Sequence, residues 1–74
     1  MNTAVDLDHY ATVLKLVPGG EEELFDGTVR EILSEFAQGR IGNPGGLSMR
    51  LAGSPGLILG VQIEALVEDF KKAL

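Results

Sequence analysis

The sequence predicts an all-α fold, a small bundle of three to four helices with a Gly/Pro-rich connection. Three observations carry that expectation. Apolar residues recur at steps of three and four through the last third of the chain, the same period runs through its middle, and capping residues stand where helices would begin. The competing reading is α+β, with a β-hairpin around residues 47–63.

Taken in order, Asp6 to Val17 reads as a first helix. Asp6 or Asp8 caps it, Leu7, Tyr10, Leu14 and Val17 share one face, and Pro18-Gly19-Gly20 stops it. A strand through Thr12–Val17, rich in β-branched residues, is the alternative for the same letters. Glu21-Glu22-Glu23 suits the positive end of a second helix, whose stripe is Phe25, Val29, Ile32, Leu33 and Phe36. Thr28 and Glu31 have the spacing of a capping box, so the helix runs either from Glu21 to Gln38 with a weak point at Gly27, or from Thr28 after a short turn. Gly39 ends it.

Gly39 to Gly56 is dense in glycine and proline, with turn-forming clusters at residues 42–46 and 53–56. Between them Leu47–Ala52 reads as a short helical turn, because its residues are mostly good helix formers and none is β-branched. Alternation of Leu47, Met49 and Leu51, and of Leu57, Leu59, Val61 and Ile63, is what permits the hairpin instead. Ser54 and Pro55 then open the last helix, which runs to Leu74 with Leu59, Ile63, Leu66, Phe70 and Leu74 in one stripe. Glu64, Glu68, Lys71 and Lys72 lie opposite, with the lysines at the negative end of the dipole.

At 74 residues the chain makes one small domain, residues 1–74, and no internal repeat is visible. A chain of this size buries only about 60% of the surface its unfolded form exposes, so stability needs tight packing or burial against another chain. Eleven carboxylates stand against six Lys and Arg, for a net charge of −5. That balance disfavours nucleic acid and anionic membranes, which need clustered cations. The longest apolar run, from Leu57 onward, falls far short of the roughly 20 residues of a membrane span. Met1–Asp6 has neither a basic start nor an apolar run, so a cytoplasmic protein is expected.

The chemistry-bearing residues are few. With no cysteine and a single histidine, His9, nucleophile–base pairs and thiolate metal sites have no candidates, and neither an enzyme nor a cofactor is expected. Asp6, Asp8 and His9 fit a helix cap better than a metal site, since adjacent residues on one turn rarely supply a ligand set. The glycine clusters lack the lysine of a phosphate-binding loop, and Pro55 removes an amide such a loop would use. Glu21, Glu22, Glu23 and Asp26 read as a solvated face, or as a docking face for a basic partner.

Gly46-Leu47-Ser48-Met49 sits in a small acidic chain, and in size and charge the chain resembles the acyl carrier proteins. In that family a serine carries a phosphopantetheine arm at a helix start, which would make Ser48 the attachment site. Leu47 departs from the family's Asp-Ser-Leu site.

The sharper signal is a second apolar face. Ile58, Val61 and Ala65, with Leu57 near them, lie away from the main stripe of the last helix, and exposed apolar patches mark partner surfaces. The expectation is a non-catalytic interaction or assembly module, self-associating as a homo-oligomer through its 57–74 helix. Alternatives are an accessory or regulatory subunit of a larger protein, and the carrier with Ser48.

Overall fold

In the computed structural model, residues 6–73 are described. The readings of Met1–Val5 and of Leu74 as the end of the last stripe lie outside those residues. The chain forms two β-hairpins, each followed by a helix: β1 (Tyr10–Val17), β2 (Gly20–Thr28), α1 (Val29–Ala37), then β3 (Leu47–Leu51), β4 (Leu57–Leu59) and α2 (Gly60–Lys72). A single 3₁₀ turn over Pro44–Gly46 precedes β3. One antiparallel sheet holds the four strands in the order β2-β1-β3-β4. The all-α bundle is therefore wrong, and the fold is α+β.

The first error has a clear cause. Pro18-Gly19 stops a helix, but it also closes a hairpin. Proline sets the first central position of the turn, and Gly19, at φ 91°, takes the second. Val17 thus pairs with Gly20, and Thr12 and Val13 do what β-branched residues favour. The three glutamates that suited a helix start belong instead to β2, an exposed edge strand where charge discourages pairing with other chains.

From Thr28 to Gly39 the sequence reading holds, whereas Leu47–Ala52, expected as a helical turn, supplies strand β3, its alternating Leu47, Met49 and Leu51 following the period of a strand. The Thr28 hydroxyl accepts from the Glu31 amide at 3.2 Å, and the Glu31 carboxylate accepts from the Thr28 amide at 2.8 Å. That capping box starts α1, Gly39 at φ 78° follows its C-cap, and Val29, Ile32, Leu33 and Phe36 are buried as the stripe required.

The last helix begins six residues later than Ser54. Leu57–Leu59 is extended and pairs with β3, as the hairpin reading allowed, but the helix opens at Gly60 before Val61 and Ile63 can continue the strand. Gln62 serves as the cap, its side-chain oxygen accepting from the Leu59 amide at 3.0 Å.

No repeat is visible in the sequence, yet the fold is a ββα unit used twice. The β1–β3 register sets Ala11 against Leu51, Val13 against Met49 and Lys15 against Leu47, so a pseudo-twofold axis passes near Val13 and Met49. The helices correspond from their caps. Glu31 and Gln62 each stand three residues on, Ile32 and Ile63 four, Phe36 and Val67 eight, and the last four are all buried. Both helices lie on one side of the sheet. The core between contains Ala11, Val13, Met49, Val29, Ile32, Leu33, Phe36, Ile63 and Val67, with Phe25, Ile58, Leu66 and Phe70 packed around it. Among the described residues no helix is long and apolar enough to cross a membrane.

Candidate docking face

Side chains alternate across a strand, so the helices leave the other face of the sheet bare. Ala11 and Val13 of β1 point into the core, which sends Tyr10, Thr12, Leu14 and Leu16 to the bare side. The ladders extend this face. Glu21 stands opposite Leu16, Glu23 opposite Leu14 and Asp26 opposite Thr12 on β2, while Ser48 and Arg50 oppose Leu14 and Thr12 on β3. On β4, Leu59 and Leu57 oppose Ser48 and Arg50. Leu24 is the unpaired residue of a bulge in β2 between these rows.

Two residues of the bare face are nonetheless buried. Leu14 is 1% exposed and Ser48 6%. Arg50 and Glu21 form an ion pair at 2.8 Å. Because β1 lies between β3 and β2, that pair must cross β1, and its two ends stand opposite Thr12 and Leu16. Leu14 lies midway between, under the bridge. The Ser48 hydroxyl has no hydrogen-bond partner, an uncompensated burial of about 1–3 kcal/mol.

Beside this covered spot the surface is apolar and open. Leu16 is 71% exposed, Leu59 60% and Val61 76%, with Leu57 at the margin. Leu16, Leu57, Leu59 and Val61 line a shallow groove of about 290 Å³, with Gly45, Gly46 and Ser48 also in its wall. Clustered exposed apolar side chains of this kind mark contact sites on monomers.

The four residues expected to form an interface do not share one surface. Leu57 and Ile58 lie on a strand, not a helix, so they face opposite sides; Ile58 packs against the core and Leu57 lines the groove. Val61, in the first turn of α2, joins Leu57 in the groove, whereas Ala65 is exposed on α2 outside it. Leu16 and Leu59 were missed. Their signal was present in Val13-Leu14, adjacent apolar residues that a strand can bury only by covering both of its faces.

The remaining candidates resolve into structure. Asp6 accepts from the Asp8 amide, the His9 ring nitrogen Nε2 lies 2.7 Å from the Ala52 carbonyl, and Asp8 pairs with Arg30 at 3.2 Å. These contacts tie the entry of β1 to the turn after β3 and to α1. In the glycine-rich segment the Gly45 amide donates to Asn43, and the Pro44 and Gly45 carbonyls face Gly60. Ser48 is the second residue of β3, not the first of a helix, and its side chain is buried.

A larger open cleft of about 620 Å³ runs past Leu7, Phe25, Ser34 and Phe70, and its two arginines are already paired, Arg30 with Asp8 and Arg40 with Glu35. Among the described residues no group of three or more His, Asp or Glu is placed to hold a metal ion. No protein-family model, curated protein or solved structure matches this chain.

Proposed function

We propose that this chain is a non-catalytic accessory or regulatory subunit that docks on a larger protein through the helix-free face of its sheet. The observation that carries the reading is the groove of Leu16, Leu57, Leu59 and Val61 beside the covered Leu14. A single sheet with helices on one side is a two-layer arrangement, and water on the other side normally selects polar residues there. Here β1 and β4 put leucines on it. A third layer, supplied by another protein, would complete the packing.

Charge favours a different chain over a second copy. Three carboxylates, those of Glu21, Glu23 and Asp26, share the face with one guanidinium, that of Arg50. A second copy would bring the same excess, added to a net charge of −5 on each chain. Of the residues expected to carry self-association, Ile58 packs against the core and Ala65 lies outside the groove. A cytoplasmic setting is part of the proposal and rests on the sequence alone.

Light scattering behind a sizing column, across a wide range of concentration, tests the choice. A folded monomer is expected for the native chain and for Leu59→Asp. A native dimer that Leu59→Asp dissociates would make a second copy the occupant and overturn the accessory-subunit reading.

A further inference from the structure

We infer that the segment received by this face carries apolar residues together with lysine or arginine, the apolar side chains entering the groove and the cations meeting Glu23 and Asp26. This rests on the docking reading above and adds the chemistry of the occupant.

The rows of the sheet supply the argument. Crossing the bare face from one edge to the other, the first row is acidic (Glu21, Glu23, Asp26), the second holds Leu16 and Leu14 followed by Thr12, the third Ser48 and Arg50, and the fourth is apolar (Leu57, Leu59). Among the described residues Glu23 and Asp26 have no ion-pair partner, and the one cation on this face, Arg50, is held by Glu21. An incoming cation therefore meets, on β2, two carboxylates without a direct ion-pair partner, while an apolar side chain of the same segment enters the groove nearer the opposite edge of the sheet. An anionic segment would gain the groove but face the acidic row.

Ser48 is an independent sign that something polar belongs here. Its hydroxyl is buried without a partner in the wall of the groove. A backbone or side-chain group of the segment that reaches it would recover the missing hydrogen bond. The Arg50–Glu21 bridge lies over the neighbouring Leu14 and is partly exposed at both ends. Its opening is cheap, since exposed ion pairs contribute little to stability.

The probe is a short acetylated and amidated peptide, Leu-Lys-Leu-Lys-Leu, titrated into isotopically labelled protein and followed by amide chemical shifts. Its counterpart has glutamate in place of lysine. The expected result is saturable shifts on β1, β3 and β4 with the lysine peptide, and affinity at least about tenfold weaker with the glutamate peptide. Glu23→Gln combined with Asp26→Asn should weaken the lysine peptide about three- to tenfold, as two exposed charge contacts would, with the urea midpoint unchanged. Raising salt from about 0.1 M to about 1 M, which shortens the screening length from about 10 Å to about 3 Å, should do the same.

Equal binding of both peptides, binding of neither, or shifts confined to α1 and α2 would overturn the inference. Failure of the docking reading itself is separate, because it appears as a native dimer in the light-scattering experiment.

Discussion

Replacing Gly60 with alanine separates the packing seen in this structure from ordinary helix propensity, because the two predict opposite signs. Gly60 is the first residue of α2 and is buried. A Cβ built there lies 2.5 Å from the Pro44 carbonyl oxygen, 2.5 Å from that of Gly45 and 2.7 Å from the Gly45 carbonyl carbon. Carbon–oxygen contacts settle near 3.3–3.6 Å even when they are attractive, so the 3₁₀ turn would have to retreat by roughly 0.8 Å. All three atoms are backbone and cannot swing aside as a side chain would. Overpacking of this kind costs about 1–3 kcal/mol, sometimes more. Against it stands the usual gain from Gly to Ala in a helix, up to about 1 kcal/mol. The expected balance is a loss of about 1–2 kcal/mol, which lowers the midpoint of thermal unfolding by about 4–16 °C in a domain of this size. Urea unfolding followed by circular dichroism measures it, with Gly56→Ala as control. No atom lies within 4 Å of a Cβ at Gly56, so that variant should be neutral or gain a few tenths of a kcal/mol. A Gly60→Ala protein as stable as the native chain would refute the close approach of the 3₁₀ turn to α2.

Four further substitutions probe separate parts of the account. Met49→Ala empties a fully buried site at the pseudo-twofold axis and should cost about 2–5 kcal/mol in the same assay, a large share of a stability expected near 4–11 kcal/mol. Ser48→Ala removes the unpartnered hydroxyl and should leave stability unchanged or raise it by about 1 kcal/mol; a clear loss would mean that the hydroxyl is hydrogen-bonded after all. Thr28→Ala breaks the capping box of α1 and should lower the unfolding free energy by about 1 kcal/mol. Val61→Glu puts a charge on a residue that is 76% exposed, and the unfolding free energy should move by no more than about 0.5 kcal/mol. Unfolding by that variant would place Val61 in the core and remove it from the groove.

Much of the helical half of the fold was legible, and little of the sheet. Thr28 with Glu31, the stripe from Val29 to Phe36 and the stop at Gly39 are local signals, and each appears as read. Strands depend on what lies beside them. Leu14 looked like a helix-face residue because Leu7, Tyr10 and Val17 share its helical spacing, while the pairing that defines it runs to Glu23 and Ser48, far apart in sequence. Pro18-Gly19 was read correctly as an end but not as a reversal, and that single ambiguity carried the whole first hairpin with it. The site was half legible for the same reason. Leu57 and Val61 were singled out, but Ile58 followed them only because a helix was assumed, and Leu16 joins them only through a sheet that brings β1, β3 and β4 together. The twofold repeat leaves no trace in the letters beyond matched spacings from the two caps. Only shared burial constrains those positions, and Phe36 and Val67 satisfy it with different side chains.

The central claim is that the helix-free face meets a different protein, and site-specific photo-crosslinking in the cells that make the chain tests it most directly. A benzophenone amino acid is placed at Leu59, in the groove, or at Glu68, on the exposed side of α2. The account predicts an adduct from position 59 and not from position 68, with a mass above that of two 7.9 kDa chains. An adduct formed only from position 68, or one from position 59 with the mass of two copies, would contradict it.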